Sequence, residues 1–170
     1  MNNCTNIALY AGSFDPVTFG HLWLIREASC LFNNLIIAIG QNPQKTCSFD
    51  LNTRMNLLQY AIKDYSNVEI KILDNEFLIN YAMSINIKYI IRGIRNTEDY
   101  EYEKMMRYIN SDICDEVQTL FLIPPRKYAE VSSNLIKGLV GSKGWQSIAS
   151  KYVPVHVIKA LEQKFQPNDN

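Results

Sequence analysis

Short, mostly apolar runs of strand length recur along the chain, at Ile7 to Tyr10, Leu35 to Ile39, Val68 to Ile72, Tyr89 to Ile91 and Thr119 to Ile123. Several are β-branched and apolar on consecutive residues, the mark of strands covered on both faces. Between them the apolar spacing changes to three and four. Leu22, Ile25, Ala28 and Phe32 share one helical face, as do Leu51, Met55, Leu58 and Ile62. Phe77, Leu78, Tyr81, Ala82 and Ile85 form a third stripe, and Tyr102, Met105, Met106, Ile109 and Ile113 a fourth. Asp50 is placed to cap the second helix, Asn96 or Thr97 the fourth, and Pro154 to open a last helix carrying Val157, Ile158, Leu161 and Phe165. This alternation predicts an α/β fold, a doubly wound sheet of about five parallel strands with helices on both faces. One domain spans residues 1–165, and 166–170 reads as a frayed tail.

Composition narrows the classes. A hydrophobic share of 47% and a charged share of 20% are those of a soluble globular chain. Lys plus Arg equals Asp plus Glu, 17 against 17, so the balance carries no signature of nucleic acid or of a membrane surface. No apolar run approaches the roughly 18 to 20 residues of a bilayer span. The first six residues lack the pattern of a signal peptide. Four cysteines without C-x-x-C pairing read as reduced thiols of a cytoplasmic protein. With two histidines in the chain, no metal site built by the protein is expected.

In doubly wound sheets ligands bind at the carboxyl ends of the strands, and the chemically suggestive residues of this chain cluster there. After the first strand comes Gly12-Ser13-Phe14-Asp15-Pro16-Val17-Thr18-Phe19-Gly20-His21, a tight loop entering an amphipathic helix. The free N–H groups and positive dipole of a helix start seat an anion. A hydroxyl at Ser13 and an imidazole at His21 add groups suited to phosphate chemistry. Asn42 to Lys45 follows the second strand and places a lysine for a phosphate contact. Arg92-Gly93-Ile94-Arg95 follows the fourth and runs on to Asp99 and Glu103. Its arginines match phosphate oxygens bidentately, and Gly93 admits close approach of a ligand to the backbone; the alternative is a set of ion pairs to Asp99, Glu101 or Glu103. After the fifth strand, Val131-Ser132-Ser133-Asn134 can hold phosphate oxygens or simply cap the next helix. There is no G-x-G-x-x-G fingerprint and no G-x-x-x-x-G-K-[ST] loop.

Three of these segments, G-[ST]-F-D-P-x-T-x-G-H, R-G-[IL]-R-x-x-x-D-[FY]-E-Y-E and [IV]-S-S-x-x-[IV]-K, stand here as Gly12 to His21, Arg92 to Glu103 and Val131 to Lys137. Together they resemble the phosphopantetheine adenylyltransferases, over about Ile7 to Lys137, in nearly collinear order. The resemblance implies a Rossmann-like enzyme that joins ATP to 4′-phosphopantetheine by direct in-line attack, releasing dephospho-coenzyme A and pyrophosphate. It assigns catalysis to His21, Lys45 and Arg92. It gives ATP contacts to Ser13, Phe14, His21, Gly93, Ile94, Arg95 and Glu103, and to the run Tyr128, Ala129, Glu130, Val131, Ser132, Ser133 and Asn134. The acceptor falls to Ser13, Lys45, Leu78, Arg92, Tyr102, Met106 and Asn110. It further implies Mg2+ carried mainly by the ATP phosphates, a homohexamer, and feedback by coenzyme A. Relatives that use nicotinamide or nicotinate mononucleotide share the first and third segments, and a catalytically silent nucleotide or coenzyme A sensor on the same fold is the other alternative. The chain departs from the family pattern at Ala11, Phe19, Thr46, Cys47, Tyr128, Glu130 and Asn134.

Overall fold

A computed structural model describes residues 6–41, 46–74 and 76–165. The first half alternates strand and helix without exception. β1 (Ile7–Gly12) leads into α1 (Phe19–Leu31), β2 (Asn34–Gln41) into α2 (Leu51–Ala61), and β3 (Val68–Asp74) into α3 (Leu78–Ser84). β4 (Tyr89–Gly93) then leads into the long α4 (Thr97–Ile113), which returns to β5 (Gln118–Leu122). Four helices finish the chain: α5 (Arg126–Ala129), α6 (Ser133–Leu139), α7 (Trp145–Ala149) and α8 (Val155–Phe165).

The strands form one parallel sheet in the order β3-β2-β1-β4-β5. Period-two alternation divides each strand between two cores. Ala8 and Tyr10 of β1 face the same layer as Leu35, Ile37 and Ile39 of β2, which α1, α2 and α8 cover through Ile25, Leu58 and Leu161. Leu9, Ala11, Ala38 and Ile90 face the other layer, where Ile79 and Ala82 of α3 close on them. Asp50 caps α2 by accepting from Thr53 N, and Asn96 caps α4 by accepting from Asp99 N, as expected.

One expectation needs correction, and one helix has no counterpart in the sequence reading. The apolar stripe of α4 faces outward: Tyr102, Met105, Ile109 and Ile113 are each 42 to 55% exposed, and Glu103 is the buried residue of this helix. The helix packs on β4 and β5 through Glu103 and Tyr100, and among the described residues nothing covers the stripe on its other side. The short helix α7, with the fully buried Trp145, carries too few turns to show helical periodicity.

Gly93 has a packing role beside the expected one. A Cβ there meets Leu24 Cδ1 of α1 at 2.4 Å, so its bareness serves strand-to-helix packing. We expect Gly93→Ala to cost about 1 to 3 kcal/mol by overpacking, read as a lower urea midpoint. A Gly93→Ala, Leu24→Ala double variant recovers part of that loss if the clash is the cause.

Candidate active site

The sheet order reverses between β1 and β4, and their carboxyl ends open a crevice at this switch point. Thr18 and His21 each have a separate task at the start of α1. Thr18 is the N-cap, extended at φ −127°. Its Oγ1 accepts from His21 N at 3.4 Å while its own N–H donates to His21 Nδ1 at 3.1 Å. This is a capping box with histidine in the place usually held by Glu or Gln. Gly20 faces the loop bearing Val131, where a Cβ would make an ordinary contact with the Val131 carbonyl at 3.4 Å.

The capping box fixes the tautomer of His21. With Nδ1 accepting from Thr18, the neutral ring carries its proton on Nε2 and presents a donor. Burial first, and the charge of Arg95 second, lower its pKa from 6.5 to about 4, so the ring is neutral at physiological pH. The sign of the resulting pH dependence follows. The unfolded chain takes up a proton that the folded chain refuses, so stability is complete above 6.5 and is lost as pH falls toward about 4. We expect urea unfolding to show this decline in wild type and a smaller decline over the same window in His21→Gln.

The two arginines of the β4 end are engaged by ion pairs. Arg92 Nε donates to Glu103 Oε2 at 2.8 Å, its Nη2 donates to Glu103 Oε1, and its Nη1 donates to the Ala11 carbonyl at 2.9 Å. Burial opposes its charge, but Glu103 outweighs burial and holds the guanidinium above its usual pKa. Arg95 forms a two-pronged pair with Asp99, at 2.8 and 3.0 Å, and reaches the Val131 carbonyl at 3.4 Å. The ion-pair alternative therefore holds for both arginines, while Glu101 pairs with Lys104 instead. Arg92 still borders open space on its other side.

Two cavities meet at that point. One, of about 660 Å³, is polar: Ser13, His21, Gly93, Arg95, Tyr128, Val131, Ser132, Ser133, Asn134 and Lys137 line it. The other, of about 550 Å³, is bordered by Leu73, Phe77, Leu78, Ile90, Met106 and Asn110. Gly12, Ser13, Cys47, Arg92, Tyr102 and Glu103 border both. Most of the expected site residues are thus brought together around one crevice. Phe14, Ile94, Ala129 and Glu130 line neither cavity. Phe14 and Ile94 are buried, and the Phe14 ring packs edge-on against Tyr10 and His21, with centroids 5.5 and 5.1 Å away. Lys45 falls outside the described residues.

The serines have structural partners. Ser132 caps α6 by accepting from Leu135 N at 3.1 Å, and Ser133 Oγ donates to the Pro16 carbonyl at 2.8 Å, joining the α6 start to the β1–α1 loop. Three residues without an expected role support the crevice: Asp15 and Lys137 at its wall, and Arg54 behind it. Asp15, 2% exposed, accepts from Ser48 N, Phe49 N and Lys137 Nζ at 2.7, 2.8 and 3.2 Å. Lys137 was visible only as the last position of its motif. Arg54 of α2 donates to the carbonyls of Ser13 and Gly40. Its partner in the loop lies 41 residues away, and no local pattern points to that contact.

Comparisons with known proteins show the family and the fold. A family model described as cytidylyltransferase-like matches residues 9–139. The chain is 52% identical over 154 residues to a phosphopantetheine adenylyltransferase of Chromobacterium violaceum, covering 91% of this chain and 94% of that one. It is 46% identical over 164 residues to the phosphopantetheine adenylyltransferase of Neisseria meningitidis serogroup C, covering 96% of each. Among solved structures, the Plasmodium falciparum nicotinic acid mononucleotide adenylyltransferase complexed with NaAD superposes with a TM-score of 0.65 at 19% identity, covering 96% of this chain and 97% of that one. At that identity the likeness is one of fold.

Proposed function

The chain belongs to the phosphopantetheine adenylyltransferase family, and from that premise we propose that it transfers the adenylyl group of ATP to 4′-phosphopantetheine, giving dephospho-coenzyme A and pyrophosphate. The observation that carries the reading is the pair of cavities sharing a wall at Ser13 and Arg92. A polar crevice suits a triphosphate, and an apolar-walled one suits a pantetheine arm. Their junction is where an acceptor phosphate meets the α-phosphorus.

That phosphate is already a nucleophile, so the reaction needs alignment and neutralisation of charge rather than a base. Attack forms the new phosphorus–oxygen bond in line with the breaking bond to pyrophosphate. His21 Nε2–H donates to the oxygens of the five-coordinate phosphorus. Arg92, with Lys45, holds the acceptor phosphate, and Arg95 with the Tyr128 to Asn134 segment holds ATP. Leu78, Tyr102, Met106 and Asn110 receive the pantetheine arm. Asp15, Asp99 and Glu103 are each engaged by a cation, which supports Mg2+ entering on the ATP phosphates and neutralising their charge. Among the described residues no cluster of three metal-binding side chains occurs.

The exposed α4 face supports self-association as a homohexamer, and coenzyme A, which contains the product, is proposed to compete for the same crevice. Among the described residues no helix is long and apolar enough to cross a membrane, and Cys30, Cys47 and Cys114 are free; both support a cytoplasmic location.

The deciding experiment is pyrophosphate release from Mg–ATP with 4′-phosphopantetheine or nicotinate mononucleotide as acceptor. We expect release with phosphopantetheine alone. Release only with the mononucleotide overturns the acceptor, and silence with both from a protein that binds ATP leaves the sensor reading.

A further inference from the structure

Arg54 belongs to none of the phosphate motifs and lines neither cavity, yet it is 4% exposed and lies directly under the crevice loop. Its Nη1 donates to the Ser13 carbonyl at 2.8 Å and to the Gly40 carbonyl at 3.2 Å. One guanidinium thereby ties the loop after β1 to the end of β2. Every other strongly buried charge at the crevice has a partner: Arg92 has Glu103, and Asp15 has Lys137. Among the described residues no carboxylate lies within ion-pair distance of Arg54, and its Nε has no hydrogen-bond partner. An unpaired buried cation is costly, and a fold that keeps one calls for an anion to offset it.

We propose that Arg54 is a positioning residue for the phosphates: its Nη1, shared between two carbonyls, sets the Ser13–Phe14 peptide, and its unpaired charge is a fixed counter-charge beneath the bound anion. This rests on the adenylyl-transfer reading of the crevice. The peptide is planar and trans, so a Ser13 carbonyl held toward Arg54 turns the Phe14 N–H to the opposite side. Among the described residues that N–H meets no acceptor, which leaves it to a ligand. Phe14 sits at φ 48°, a left-handed conformation that an aromatic residue adopts only when its surroundings hold it. The Arg54 bond to the preceding carbonyl is one such restraint. The Phe14 ring in turn packs on His21 at 5.1 Å, so the clamp reaches the donor that faces the reaction. A charge buried below the loop also acts through a less polarisable medium than a surface lysine, and it needs no reorganisation when the anion arrives.

The positioning and the charge separate in two variants. Arg54→Lys keeps the charge but loses the planar guanidinium that fixes one nitrogen between the Ser13 and Gly40 carbonyls; we expect acceptor KM to stay near wild type while kcat falls about a hundredfold. Arg54→Met loses both, and we expect a similar fall in kcat together with about a tenfold rise in acceptor KM. Melting temperatures are measured alongside. If Arg54→Met does not fold, Arg54→Lys alone decides: a lower kcat at unchanged KM and melting temperature upholds the proposal. Unchanged kcat in a folded variant overturns it, as do kcat and KM losses that merely follow a fallen melting temperature. Calorimetric binding of inorganic pyrophosphate to wild type and Arg54→Met provides a readout independent of turnover. Weaker binding in the variant supports the counter-charge even if wild type proves inactive with phosphopantetheine, and equal binding overturns it. Failure of the proposed reaction is thereby distinguished from failure of this inference.

Discussion

His21→Ala is expected to fold and to lose about a hundredfold to a thousandfold in kcat, the usual loss when one preorganised donor to a charged transition state is removed. The fold survives because only half of the capping box goes. Thr18 Oγ1 still accepts from the backbone N–H of residue 21, and the lost cap bond costs about 1 kcal/mol. Turnover suffers because Nε2–H is the donor that Thr18 orients through Nδ1. His21→Gln, which keeps an N–H donor at similar reach, recovers part of the loss. Steady-state kinetics beside a thermal melt provide the check, and near-normal turnover in folded His21→Ala removes the residue from the mechanism.

Arg92→Ala is expected to fail twice over. It leaves Glu103, whose side chain is 11% exposed, as a buried carboxylate without its partner. Breaking such a pair costs about 3 to 5 kcal/mol, and each kcal/mol lowers the melting temperature of a chain this size by roughly 2 to 4 °C. It also removes the cation at the junction of the two cavities, so acceptor kcat/KM falls. Activity alone cannot distinguish these losses. Exchanging the whole pair for apolar residues is often neutral or stabilising, so Arg92→Met with Glu103→Leu should restore the melting temperature and leave acceptor use impaired. If that double variant recovers acceptor kcat/KM, Arg92 is a structural residue only.

The contrast between these residues shows where sequence reading reaches. The end of β1, the helix start at Thr18 and His21 lie within ten residues of one another, and their spacing alone places the imidazole on the first turn. The apolar runs of β1, β2 and β4 announce strands buried on both faces, and the order of elements implies the parallel sheet. Ser132 and Asn96 show equally well as caps, because an N-cap is a local bond between residues three apart.

Partner choice was not legible in the same way. The pattern offered Arg92 and Arg95 three carboxylates. Asp99 meets Arg95 locally, four residues on, but only the packing of α4 against β4 selects Glu103 for Arg92. Gly93 shows the same limit, since its bareness answers Leu24 on a different helix. The outward stripe of α4 is indistinguishable by periodicity from one that faces a core, because periodicity reports that a face is apolar and not what covers it.

The sequence by itself determined the class of fold and the attachment of the candidate phosphate segments to strand ends, because each depends on dihedral preference and spacing over a few residues. Tertiary structure alone decided how those segments meet. Arg54 reaches Ser13 across 41 positions, Ser133 reaches Pro16 across 117 and Lys137 reaches Asp15 across 122. Such contacts form where the sheet order brings the strand ends together, and burial then makes each polar group take the partner that folding has placed beside it.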